Sequence, residues 1–124
     1  MLLEVTIRDD ISLVRINTPR IEARIADELT QGLISAIKPT RAAAIDFSTV
    51  GFIDSVGMKS LMTVLLHSRK IEGVCVLHGV SEDIMSVFVI TRLNKLLPIA
   101  ADEAGAVALI RETVREKRER SSEL

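Results

Sequence analysis

The short, mostly apolar run Ala42 to Phe47 lies between Pro39 and Gly51 and is too short for a typical helix, so it predicts a buried strand. Met58, Leu61, Met62 and Leu65 follow closely at helical spacing, which predicts a helix ending near Lys70 and Gly73. A strand that hands over to a helix within a few residues constrains the chain strongly when the exchange recurs, because helices then separate strands that must pair in parallel.

It does recur. Leu3, Val5 and Ile7 alternate with Glu4, Thr6 and Arg8, the period of a half-buried strand, and Asp9-Asp10 supplies a turn into a second strand over Ile11 to Asn17. Ile25, Ala26, Leu29, Leu33, Ile34 and Ile37 place a helix over Glu22 to Lys38, with Gly32 marking close packing. Val74 to His78 reads as another buried strand, and Ser81 caps a third helix whose core face holds Ile84, Val87 and Phe88. Leu96 to Ile99, broken by Pro98, reads as an edge strand, and Asp102 opens a last helix through Val114. The order β-β-α-β-α-β-α-β-α gives an α/β fold: a mixed sheet of four to five strands packed with four helices. One domain over 1–114 is expected, followed by a charged tail over 115–124 that frays, with i,i+4 pairs along Arg111 to Arg120.

Charge and composition exclude several functions. Lys plus Arg total 16 against 17 for Asp plus Glu, and aromatic residues make up 2%, so neither a basic field nor stacking platforms for nucleic acid are expected. No apolar stretch approaches the roughly 20 residues that span a bilayer, so no direct membrane insertion is expected. The start MLLEVTIRDD lacks the pattern of a signal peptide, and the single Cys75 has no internal disulfide partner, which makes the cytoplasm the expected compartment. Cys75 sits in a buried run and reads as a core thiol. His67, His78 and Cys75 lack metal-ligand spacing, and no phosphate-cradling glycine loop is present, so no cofactor is expected.

The turn Asp54-Ser55-Val56-Gly57 joins the central strand to its helix. On residue chemistry alone, a serine after Asp and before Gly at a helix start is most simply an N-cap. Backbone N–H groups and the helix dipole would also favour an added anion there. A nucleophilic role lacks support, because His67 is at the far end of the same helix, His78 ends a strand, and the Gly-x-Ser-x-Gly elbow is absent. No enzymatic activity is expected.

The stretch Ala44 to Leu66, AIDFSTVGFIDSVGMKSLMTVLL, resembles the signature of STAS domains, the family that contains bacterial anti-sigma factor antagonists. Asp46-Phe47-Ser48 fits its strand end, and Phe52-Ile53-Asp54-Ser55-Val56-Gly57-Met58 fits its turn and helix start. A weaker likeness extends from Leu3 to about Leu109, through Ala26-Asp27-Glu28-Leu29 and Arg92-Leu93-Asn94-Lys95-Leu96. What the resemblance implies is a switch: Ser55 phosphorylated by an anti-sigma factor that is a serine kinase, bound by that partner when unmodified, and reset by a serine phosphatase. It further implies a partner-binding surface of Glu22, Asp54, Val56, Gly57, Met58 and Lys59, to which Met62 is added as an adaptable methionine near the turn. The alternative is a non-switching STAS subunit that docks on a membrane transport complex and uses Ser55 only as a cap. Three positions depart from the family pattern: Val56 replaces a common second Ser, Lys59 replaces a small residue, and Pro19-Arg20-Ile21-Glu22 replaces a Gly-x-Leu-Asp loop.

Overall fold

The structure is a computed structural model that describes residues 1–122. Strands β1 (Leu3–Arg8) and β2 (Ile11–Ile16) form an antiparallel hairpin, closed by Asp9 and Asp10 at φ 51° and 64°. Two successive left-handed residues are the signature of a type I′ turn, whose twist matches that of the paired strands. Next come β3 (Arg20–Ile21), a 3-10 turn (Ala23–Ile25), α1 (Ala26–Ile37), β4 (Ala42–Asp46), β5 (Phe52–Ile53) and α2 (Ser55–Lys70). The chain continues through β6 (Val74–His78), α3 (Glu82–Ile90), a 3-10 turn (Leu93–Lys95), β7 (Ile99–Ala100) and α4 (Glu103–Ser122).

The main sheet has the order β1-β2-β4-β6-β7, and every pairing except the hairpin is parallel. Leu29, Leu33, Ile37, Leu61, Leu65, Ile84 and Phe88 from α1, α2 and α3 pack with Val14, Ile16, Ile45 and Leu77 on one side. Ala106 and Ile110 of α4 cover Ile11, Ala42, Ala44, Val74 and Val76 on the other. Ala42 and Ala44 of β4 leave room for α4 to approach closely, and Gly32 does the same for β1. A Cβ at Gly32 would stand 2.7 Å from Leu3 Cδ1, so the close packing expected there is present.

Four expectations are corrected. The strand β1 forms, but it is the sheet edge and its apolar face is largely uncovered, with Val5 46% and Ile7 54% exposed. The strand expected at Leu96 begins at Ile99 instead, because Leu93–Lys95 turns in a 3-10 helix and Pro98 can offer only its carbonyl, which accepts from Leu77 N–H at 3.1 Å. The segment from Arg115 does not fray but continues α4 to Ser122, in keeping with its Arg, Glu and Lys content, while Glu123 and Leu124 lie outside the described residues. Among the described residues no ion pair joins two members of Arg111 to Arg120. Arg111 reaches Asp9 at 3.8 Å instead, and Lys117 Nζ donates to the carbonyls of Glu72 and Gly73 at 3.3 and 3.5 Å.

The second sheet was not expected from the sequence. Strands β3 and β5 pair in parallel, Arg20 with Phe52 and Ile21 with Ile53, outside the main sheet.

Candidate functional site

The β3–β5 pair fixes the turn that precedes α2. Pro19 C=O accepts from the N–H groups of Gly51 (2.8 Å) and Phe52 (3.1 Å), and Ile21 C=O accepts from Asp54 N–H (3.0 Å). Upstream, Asp46 Oδ1 accepts from Ser48 N–H at 2.8 Å, and Phe47 N–H donates to His78 C=O at 2.8 Å, so the exit from β4 is also pinned.

Asp54 is the hub. Its backbone is extended, its Oδ1 accepts from Gly57 N–H at 2.8 Å, and its carbonyl accepts from Met58 N–H at 2.9 Å, which makes it the N-cap of α2. Its other oxygen, Oδ2, accepts from Ala23 N–H at 3.1 Å and so ties the entry to α1 onto the start of α2. The Gly57 N–H holds the Asp54 carboxyl below its ordinary 3.8; partial burial opposes this, and the Ala23 and Val56 N–H groups and the Arg20 charge reinforce it.

A carboxyl with a depressed pKa stabilises the fold above its unfolded value, and that contribution is lost as pH falls through the lower folded value. The stability advantage of the native chain over Asp54→Asn is therefore expected to be constant above about pH 5 and to shrink as pH drops below about 4. Paired urea melts across that range check it, and an advantage that grows toward acid would contradict the role given to this carboxylate.

Ser55 is the first residue of α2 and is exposed. The simplest reading of its chemistry, as the helix cap, is corrected: Asp54 occupies that place, and the Ser55 hydroxyl makes no hydrogen bond among the described residues. Val56 is 42% and Phe52 39% exposed beside it, and the Arg20 guanidinium lies 4.0 Å over the Phe52 ring. Lys59, also exposed, stands one helical turn after Ser55 on the same side of α2.

The other expected residues divide by burial. Glu22 is half-buried near this turn, and its carboxylate is held by Arg20 (3.2 Å) and Arg24 (3.5 Å). Met58 and Met62 are half-buried against the core. Gly57 is buried: a Cβ there would meet Ile21 O at 2.6 Å, Ile21 Cγ2 at 2.7 Å and Ile53 Cγ1 at 2.9 Å. Its part in the site is to let β3 lie directly on α2, rather than to face a partner.

Arg20 and Ala23 belong to this turn and were not expected at it, while Phe52, already part of the motif, was not expected among the contact residues. Only the β3–β5 register would have revealed them, and two-residue strands carry no period to read. Among the described residues no group of His, Cys, Asp and Glu could hold a metal ion. His67 lies about 18 Å along α2 from Ser55 by helix rise, and His78 is buried. Cys75 is buried in the core as expected, and burial pushes its thiol up to about 11. A void of about 10 Å³ among Leu33, Ile45, Leu61, Leu65 and Leu97 is apolar and no larger than one water.

The sequence matches the STAS domain family over residues 3–106. The structure is similar to that of a putative anti-sigma factor antagonist from Thermotoga maritima, with a TM-score of 0.77 at 19% identity over 88% of this chain and 94% of that one. An anti-sigma factor antagonist from Mycobacterium paratuberculosis gives 0.77 at 24% identity, over 88% and 92%. A sulfate transporter family protein from Wolinella succinogenes gives 0.75 at 20% identity, over 89% and 92%.

Proposed function

The chain belongs to the STAS domain family, and from that premise we propose that it is an anti-sigma factor antagonist, a protein-binding switch controlled by phosphorylation of Ser55. In this reading the unmodified turn binds an anti-sigma factor that is also a serine kinase, phosphorylation releases it, and a serine phosphatase resets it. The chain is then a substrate and a binding protein, not a catalyst. The observation that carries the reading is the exposed Ser55 hydroxyl, without a hydrogen-bond partner among the described residues, on a turn whose neighbour Asp54 has both carboxylate oxygens engaged.

A phosphate there adds about −1.5 to −2 charges. In the free domain the helix N-terminus and Lys59 one turn away offset that charge, so modification leaves the fold intact. At a closed interface the same charge must be desolvated and faces Asp54 and any partner carboxylate. A hundredfold loss of affinity requires only about 2.7 kcal/mol, within reach of one phosphate. Phe52 and Val56 supply exposed apolar surface next to the hydroxyl, and in this reading Lys59, Glu22, Met58 and Met62 complete the contact set. No helix among the described residues is long and apolar enough to cross a membrane.

Incubation with ATP and the cognate anti-sigma kinase is expected to add a single phosphate that maps to Ser55. Calorimetric titration is expected to show Ser55→Ala binding within a few-fold of the native chain and Ser55→Glu roughly 100-fold more weakly. Phosphate on another residue would overturn the switch. Equal binding by Ser55→Glu would instead favour a non-switching subunit docked on a transport complex.

A further inference from the structure

The outer edge of β1 is open. Residues Glu4 to Arg8 are all exposed, no element among the described residues pairs with their far side, and nothing in the strand blocks the edge with a proline or a bulge. The direction of its free backbone groups follows from the hairpin. Arg8 pairs with Ile11 across a two-residue turn, and beyond the strand Asn17 N–H donates to Leu2 C=O at 2.8 Å. In an antiparallel ladder, alternate residues turn both backbone groups to the partner. Glu4, Thr6 and Arg8 therefore bond to β2, while the N–H and C=O groups of Leu3, Val5 and Ile7 point outward.

The same strand is self-complementary. If two copies pair antiparallel about a two-fold axis at Thr6, Val5 falls opposite Ile7 of the other copy and Glu4 falls opposite Arg8, each twice. The two Val5–Ile7 pairs then use outward-facing groups and form four backbone hydrogen bonds. On one face they bring together Val5 and Ile7, the side chains left 46% and 54% exposed in the single chain. On the other face each Glu4 carboxylate meets an Arg8 guanidinium, an opposite-charge cross-strand pair at the closer, non-hydrogen-bonded spacing. A shift of one residue would set outward backbone groups against inward ones, so parity favours this register or one two residues away, and only the Thr6-centred one matches the charges.

We infer that β1 is a homodimerisation edge: two copies join their five-stranded sheets into one through Val5, Ile7, Glu4 and Arg8 about Thr6. The interface is isologous and closes after two copies, so it does not propagate into a fibre. Antiparallel pairing turns one domain end over end relative to the other, and the two Ser55 turns then lie at opposite ends of the dimer. Both stay open.

Sedimentation velocity of the full chain over a concentration series tests this, together with Val5→Lys/Ile7→Lys, whose sites are exposed and whose fold is checked by circular dichroism. A monomer–dimer equilibrium is expected in the native chain, with dissociation at least about tenfold easier in the double variant. Thr6→Cys places two thiols across the axis at a Cα separation of about 4.5 Å, within disulfide range. Under mild oxidation it is expected to cross-link at least about tenfold faster than Lys95→Cys, an exposed position in the 3-10 turn that precedes β7, the strand at the other edge of the sheet. A native chain that is monomeric at all concentrations would overturn the proposal. So would a dimer indifferent to the lysines, or equal cross-linking at both positions.

Discussion

Replacing Gly57 with alanine is expected to destabilise the domain by about 1–3 kcal/mol, and valine by more. Two effects compete. Alanine favours a helix interior over glycine by about 1 kcal/mol, which alone would stabilise α2. Against it, the new Cβ would stand 2.6 Å from Ile21 O, a backbone atom, and under 3 Å from side-chain carbons of Ile21 and Ile53. The Ile21 carbonyl cannot retreat freely, because it also accepts from Asp54 N–H at 3.0 Å. Relieving the clash means lifting β3 from β5, which loosens the bond from Ala23 to Asp54 and the cap of α2 together. Overpacking therefore wins. Thermal unfolding followed by circular dichroism reads the loss, and a Gly57→Ala variant as stable as the native chain would show that β3 moves aside at little cost.

Phe88→Ala is expected to cost about 3–5 kcal/mol. Phe88 on α3 and Phe47 at the exit of β4 are both fully buried, with rings meeting edge to face at 6.0 Å and 69°. The truncation removes the buried ring, leaves a cavity, and loses an aromatic pair worth about 0.5–1.5 kcal/mol beyond its area. For a chain of 124 residues each kcal/mol lowers the midpoint by roughly 3–5 °C, so a fall of about 9–25 °C is expected. Phe88→Leu keeps most of the volume and should cost less than half as much. If both variants melt together, cavity formation is not the source of the loss.

How much of this was legible in the sequence varies with the length and burial of each piece. Val74 to His78 reads as a strand with its observed bounds because all five residues are buried, and Ser81 reads as a cap because its Oγ does accept from Ile84 N–H, at 3.3 Å. The motif led directly to the turn of Asp54 and Ser55. It did not reveal which of the two carries the helix: Asp54 caps because its carboxylate can serve Gly57 and Ala23 at once, and Ala23 is 31 positions away in the chain. Alternation placed β1 correctly as a strand but could not tell a half-buried strand from an edge, since Val5 and Ile7 keep the same period whether or not a neighbour covers them. The strands β3 and β5 escaped altogether, being two residues long and defined by their pairing.

That small pairing sets terms for any enzyme acting on Ser55. Many modifying enzymes draw their target residue out as an extended strand, but the backbone before Ser55 is bonded to the Pro19–Ile21 segment and the backbone after it is already helical. The serine is therefore offered only as part of a rigid relief assembled from two distant stretches of chain. A synthetic peptide spanning Thr49 to Leu61 would hold every local residue of the motif and none of that relief. If Ser55 is the substrate proposed above, its kinase reads shape rather than a linear sequence and is expected to ignore the motif wherever it occurs unfolded.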